Sequence, residues 1–379
     1  MLKENKYYSY NLGLLPKGCQ YCVKGEKLVL FVTGICPRSC YFCPLSDDKY
    51  QKDVIRANER EVKKVDDLIK EAELMQAKGA GITGGDPLAK LERTIEYISA
   101  LKKKFGKEFH LHLYTSLDLV DELKLKKLFE AGLDEIRFHP DLDNQKFWNK
   151  LELAKKISWD VGVEIPLIPG KEKETKQLID FVDCKIDFLN LNELEVADNE
   201  HSDLIKRGFL VKDQLSYAVK GSLEMGLKML EYVKEKEFKL RVHLCSAKLK
   251  DAVQLSKRIE REAEGMKHNF DIVDEEGLLI RGALYFKELS PGFSYREKLA
   301  TADKKKFIER LKPLFERIKK KFKLENDDIL LDEEKPRILI SKKLVKKKAK
   351  YFSELGLKPA IVSEYPTADQ LEIEVEFLD

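Results

Sequence analysis

From Leu28 to Ala263, short apolar runs of strand character alternate with stretches of helical spacing. The strand-like runs are Leu28–Thr33, Gly79–Thr83, Phe109–Thr115, Leu133–Pro140, Val161–Pro166, Ile186–Leu191 and Leu240–Cys245. Between them lie amphipathic segments such as Val62–Ala77, where Val65, Leu68, Ile69, Ala72 and Met75 share one helical face. Helices are also expected over Leu88–Phe105, Asp121–Glu130, Gln145–Ile157, Lys171–Val182, Lys212–Lys234 and Lys248–Ala263. Such alternation requires right-handed crossovers and a parallel sheet. The chain therefore reads as α/β, a partial (β/α) barrel of six to seven parallel strands, with an open doubly wound sheet as the alternative. Either fold puts chemistry at the carboxyl ends of the strands. Beyond about Gly265 the texture changes to a small α+β domain. The expected division is a leader over 1–27, the barrel over 28–264 and the small domain over 265–379.

One loop at such a strand end dominates the chemistry. Cys36, Cys40 and Cys43 follow the first run in the spacing C-x3-C-x2-C. Three thiolates on one short loop suit three irons of a [4Fe–4S] cluster and leave the fourth iron open. Zinc is the rival, but a structural zinc wants four ligands, usually as two pairs. Three close thiols cannot pair evenly as disulfides.

Composition narrows the setting. Lys+Arg 70 against Asp+Glu 67 leaves a net charge of +3, so no global field announces a polyanionic partner. The richness in Lys and Glu is of the kind seen in proteins from hot environments. The sequence contains no run of about 18 apolar residues, so no membrane span is expected, and the polar start Met1–Tyr10 has no secretory h-region. A cytoplasmic protein follows, in which seven cysteines point to metal rather than disulfides.

The loop Cys36-x3-Cys40-x-Phe42-Cys43 resembles the signature of the radical S-adenosylmethionine (radical SAM) superfamily, including the aromatic residue before the last cysteine. The resemblance extends over roughly residues 25 to 240. It implies a [4Fe–4S] cluster whose open iron is chelated by the amino and carboxylate groups of S-adenosylmethionine. One-electron cleavage then gives methionine and a 5′-deoxyadenosyl radical that takes hydrogen from a substrate. It also implies an electron donor of flavodoxin or ferredoxin type. The layout is similar to archaeal proteins related to pyruvate formate-lyase activating enzymes, although activases are generally shorter. The substrate (RNA, a protein or peptide, or a small cofactor) stays open, and so does any catalytic side chain.

Further site residues follow from position. Thr83-Gly84-Gly85-Asp86 resembles the superfamily's second-strand glycine motif, which holds the cofactor's amino group, with Asp86 where Glu is usual. Read without that likeness, Asp86 is an N-cap and the glycines form a plain turn. Phe42 is expected beside adenine, and Thr115 and Ser116 lie at a strand end. Arg137 and His139 share a strand face with Glu135, which is odd for a parallel strand and fits cofactor contacts or an internal Glu135–Arg137 ion pair. Glu164, Asn190 and Asn192 occupy places that contribute to ribose and adenine binding in the superfamily. His110 and His112 read as ordinary buried histidines, and Cys184 as a buried small residue.

Cys19 and Cys22 in the leader and Cys245 at the last strand, with His243 or substrate as the fourth ligand, form a candidate second metal site, an auxiliary [4Fe–4S] cluster or a zinc. Lysine runs read first as solvated helix faces, with RNA a possible partner for those in the small domain. The contrasting reading of the whole chain is a non-catalytic, zinc-stabilised nucleic-acid-binding protein, which needs neither seven strand–helix units nor a glycine turn at a strand end.

Overall fold

The computed structural model describes residues 2–378, which form two compact units divided after Arg258. In the first, eight strands build the barrel: β1 (Tyr10–Leu12), β2 (Lys27–Phe31), β3 (Gly79–Thr83), β4 (His110–Ser116), β5 (Glu135–His139), β6 (Asp160–Leu167), β7 (Phe188–Glu193) and β8 (Arg241–Cys245). They follow the spatial order β1-β8-β7-β6-β5-β4-β3-β2. β2 through β8 are seven parallel strands joined by crossovers, the partial (β/α) barrel rather than a doubly wound sheet. β1 runs antiparallel to β8, pairing Tyr10 with Leu244, so the leader is woven into the barrel edge. A two-residue hairpin, Arg56–Ala57 with Arg60–Glu61, extends the other edge beyond β2.

The alternation of each strand sorts its side chains. Leu28, Leu30, Ile82, Leu111, Leu113, Ile136, Phe138, Val161, Val163, Leu189 and Leu191 are buried in the main hydrophobic core. The opposite face carries Lys27, His110, His112, Glu135, Arg137, Asn190 and His243, all nearly inaccessible. Burying so many polar groups is tolerable where each finds a hydrogen-bond partner, as Lys27 does with the Ala80 carbonyl and Arg137 with Glu135. The short helix Lys17–Cys22 completes this interior: the Gly18 N–H donates to Glu135 Oε2 at 2.9 Å. A Cβ at Gly18 would stand 2.4 Å from Arg137 Nη2, so only glycine lets the helix come this close.

Two local expectations are corrected. The helix expected from Lys212 begins at Ser222, after Gly221 at φ +88°. Residues 194–221 instead form an irregular excursion held by bridges Glu195–Ala218 and Val211–Val219. Cys184 is exposed at φ +60°, in a turn rather than a core.

The second unit is an antiparallel sheet in the order Ile329–Asp332, Arg337–Ile340, Leu279–Phe286, Leu357–Glu364, Glu372–Phe377, with Ile272–Val273 pairing alongside Leu279–Phe286. Helices Lys304–Phe322 and Lys342–Glu354 pack on it through Ile308, Leu311, Ile318, Val345 and Phe352. Arg337, fully buried, pairs with Asp332 at 2.8 Å and Glu364 at 2.7 Å. Among the described residues no helix is long and apolar enough to cross a membrane.

Candidate active site

The cysteine loop leaves β2 at its carboxyl end and is tied down on several sides. The Gly34 N–H donates to the Lys52 carbonyl at 2.8 Å, and a Cβ on Gly34 would meet the Lys49 carbonyl oxygen at 1.7 Å. Arg38 Nη1 donates to the His139 carbonyl at 2.8 Å, joining the loop to the end of β5. From the excursion after β7, Asn199 Nδ2 donates to the carbonyls of Cys43 at 3.1 Å and Leu45 at 2.7 Å. Arg207 stacks over Tyr41 and His201 over Tyr50. Cys36, Cys40 and Cys43 are each partly exposed. The Arg38 N–H lies 3.5 Å from Cys36 Sγ, and the Leu45 backbone N–H donates to the Cys43 sulfur.

The glycine turn lies against this loop. The Gly85 N–H donates to Thr33 O at 2.7 Å and the Asp86 N–H to Ile35 O at 2.9 Å. A Cβ at Gly84 would stand 2.4 Å from Thr33 O, and one at Gly85 2.5 Å from Ile35 O, so both glycines serve close backbone packing. Asp86 is fully buried. Its carboxylate accepts from Leu88 N at 3.0 Å, Thr115 Oγ1 at 2.7 Å, Ser116 N at 3.1 Å and Ser116 Oγ at 2.7 Å. Thr115 and Ser116 are thus partners of Asp86, and the N-cap role read from the sequence describes its surroundings.

Beside the loop opens a cavity of about 380 Å³, within the range of small-molecule sites. Phe42, Thr83, Tyr114, Arg137, His139, Glu164 and Asn192 line it, together with Glu195 and Lys250. Phe42 and His139 stand with ring centroids 5.9 Å apart. Arg137 is 2% exposed, and its guanidinium donates to Glu135 Oε1 at 2.6 Å, Tyr114 Oη at 3.0 Å, Glu164 Oε2 at 2.8 Å and Cys19 Sγ at 3.6 Å. Every face of it is engaged by protein, so the ion pair read from the sequence is present and is extended by Glu164. Glu164 also accepts from Asn190 at 2.8 Å and Asn192 at 2.9 Å. Against the cost of burial, Arg137 and these amides hold its carboxyl below the usual range.

Burial, with the positive charge of Arg38, lowers His139 to about 4, so its imidazole is neutral near pH 7. Its Nδ1 lies 3.1 Å from the Glu164 carbonyl oxygen, which can only accept. The proton therefore sits on Nδ1 and leaves Nε2 an acceptor. Tyr114, Lys250 and Asn199 were not singled out from the sequence. Tyr114 could have been, since alternation sets it on one face with His110 and His112.

The donor set fits an iron–sulfur cluster with one open iron. Three thiols share a loop fixed by backbone contacts, and the other cysteines lie elsewhere: Cys19 and Cys245 buried, Cys22 partly so, Cys184 exposed in its turn. Cys19 Sγ accepts from Arg137 and from Asn190 Nδ2 at 3.4 Å, inside the barrel. Cys245 packs with Val23 and Leu249 in a small apolar cluster.

A family model described as the radical SAM superfamily matches residues 30–182. A protein of Methanocaldococcus jannaschii, named for the activation of glycyl-radical enzymes, is 41% identical over 380 residues, covering 97% of this chain and 94% of that one. Biotin synthase of Pseudoalteromonas translucida is 35% identical over 117 residues, 30% of this chain and 32% of that protein. Among solved structures, Streptococcus suis SuiB bound to S-adenosylmethionine has a TM-score of 0.41 at 14% identity, covering 58% of this chain and 50% of that one. With one relative matched along nearly the whole of both chains, and with the cysteine loop inside the matched family region, the chain belongs to the radical SAM superfamily.

Proposed function

We propose that Cys36, Cys40 and Cys43 ligate the cluster and that the adjoining cavity holds S-adenosylmethionine for hydrogen abstraction from a protein substrate. The observation that carries the assignment is the sharing of one strand-end region by three loop thiols and a cavity lined in part by Thr83, His139, Glu164 and Asn192. Bound there, the cluster and S-adenosylmethionine supply a 5′-deoxyadenosyl radical by one-electron cleavage of the sulfonium bond. The residues around them position and shield. Thr83 lines the cavity, Gly84 and Gly85 let the turn pack against the cysteine loop, and Phe42 offers a face for the adenine. His139 Nε2 accepts from a ligand hydroxyl or amine, and Asn192 and Glu164 present polar edges. Arg137 and Asp86 act behind this surface by fixing Glu164 and the glycine turn.

The relative's name supports a protein substrate, a glycine residue of a partner enzyme that loses one hydrogen atom to the adenosyl radical. A flavodoxin- or ferredoxin-type protein supplies the electron. The test is anaerobic incubation of the reconstituted enzyme with reductant, S-adenosylmethionine and a glycyl-radical enzyme. A glycyl doublet in the electron paramagnetic resonance spectrum of the partner supports the reading. Cofactor cleavage with no such signal in any glycyl-radical enzyme removes this substrate class.

A second metal held by Cys19, Cys22 and Cys245, with His243 as a further ligand, belongs to the same proposal. Its support is the placement of Cys19 in the barrel and the unpartnered, buried Nδ1 of His243. Metal analysis of protein lacking Cys36, Cys40 and Cys43 tests it. Iron or zinc that persists there, and that falls on Cys245→Ala, is required.

A further inference from the structure

The charge of this chain is unevenly spread. Residues 304–323 and 342–354 hold sixteen Lys and Arg against three Glu, a net +13 in a chain of net +3, so the remainder carries −10. Both segments are essentially the two helices that lie on one face of the second unit's sheet. Their apolar residues are turned into the sheet, while Lys305, Lys306, Lys312, Lys320, Lys321, Lys343, Lys346, Lys347 and Lys350 are exposed. Lys304 reaches Glu334 at 3.6 Å and Arg310 reaches Glu288 at 2.8 Å. Among the described residues the other cations of these helices have no carboxylate within 4.0 Å.

Helix physics accounts for only some of them. Lys319, Lys320 and Lys321 occupy the last turn of their helix, where the macrodipole favours cations. Lys304, Lys305 and Lys306 occupy its first turn, and Lys342 and Lys343 the first turn of the other helix, where cations are disfavoured. Five lysines therefore stand where the helix itself does not want them.

We propose that this two-helix face binds the phosphodiester backbone of double-stranded nucleic acid. Lysine is a mobile point charge that suits phosphates without reading bases. At about 1.5 Å per residue the longer helix spans roughly 28 Å, enough to follow several phosphates of one strand. No large hydrophobic residue of either helix is exposed, among the described residues. The face therefore lacks the aromatic anchors of a protein interface, the stacking platforms of a single-strand site and the apolar wedge of a membrane helix. The inference is independent of the substrate reading, since the binding needs no cofactor cleavage.

The test is fluorescence anisotropy of the full chain with a labelled mixed-sequence duplex of about twenty base pairs, as RNA and as DNA, from 50 to 300 mM salt. Binding of either duplex is expected, with log K falling linearly in log salt; which duplex binds more tightly identifies the source. Lys343→Glu with Lys346→Glu and Lys347→Glu should weaken binding at least tenfold at the lowest salt. The charge-neutral Gln versions should lower the salt slope by about 0.9 for each phosphate that is no longer neutralised. Both sets lie at exposed positions, and thermal melting verifies their folding. Absence of salt-dependent binding to both duplexes overturns the proposal, as does unchanged binding by folded variants. Polyglutamate bound as tightly as the duplexes also overturns it, in favour of an acidic protein partner.

Discussion

Asp86 and Ser116 are locked together: the Asp86 carboxylate accepts both the backbone N–H of Ser116, at 3.1 Å, and its hydroxyl, at 2.7 Å. The pair joins the glycine turn after β3 to the end of β4. Burial pushes the Asp86 carboxyl up against the pull of these donors.

Asp86→Ala orphans the donors of Thr115, Ser116 and Leu88. Unsatisfied buried donors cost about 1–3 kcal/mol each before relaxation. A loss of roughly 3 kcal/mol is expected overall, about 6–12 °C in melting temperature. S-adenosylmethionine affinity should fall only in step with the slackened turn. Calorimetry beside isothermal binding measures both, and lost affinity with an unchanged melting temperature would instead make Asp86 a direct ligand contact.

Arg137→Met leaves Glu135 and Glu164 buried without their shared counter-charge. Breaking such a pair costs about 3–5 kcal/mol. Denaturant unfolding at pH 7 should show it. Adding Glu164→Gln to the methionine variant should recover part of the loss, because one uncompensated charge is then removed. A methionine variant as stable as the parent would show that this network adds nothing to the fold.

Most of the strand order was legible in the sequence, because β2 to β8 each carry an apolar run with a turn signal behind it. The excursion over 194–221 was not. Its lysines and apolar residues fall at spacings a helix also allows, and its contacts with the cysteine loop, such as those of Asn199 with Cys43 and Leu45 and of Arg207 with Tyr41, lie far back in the chain. The cysteine loop and glycine turn announced themselves by spacing. Lys250 did not, because its place in the cavity comes from the helical segment that follows β8. The donors around Asp86 and the acceptors around Arg137 come from separate elements, so no local pattern could separate a ligand contact from a buried tie.

Asp53 sets an acid limit on the loop's anchorage. It accepts from Arg93 at 2.6 Å, Thr33 at 2.9 Å and Lys90 at 3.0 Å. The Arg93 hydrogen bond foremost holds its carboxyl well below the ordinary value. A depressed carboxyl contributes stability above its unfolded pKa, about 3.9, and loses it as pH falls below that. The gap in urea midpoint between the parent and Asp53→Asn should therefore be constant from pH 7 to 5 and narrow below about pH 4. A gap equal at pH 7 and pH 3 would contradict the assignment.

Asn199→Ala removes the two donors that clamp the loop carbonyls beside Cys43. Cluster loss under air should accelerate severalfold, read as decay of absorbance near 400 nm, while the melting temperature of metal-free protein changes little. Equal decay rates would show that the excursion does not protect the loop.

The central claim is tested most directly by counting 5′-deoxyadenosine. Protein reconstituted anaerobically with iron and sulfide, then given dithionite and S-adenosylmethionine, should form it together with methionine. Changing Cys36, Cys40 and Cys43 together to Ala should abolish both the product and the loop's iron while the chain stays folded. Deoxyadenosine formed by the folded triple variant at the parent's rate would contradict the account.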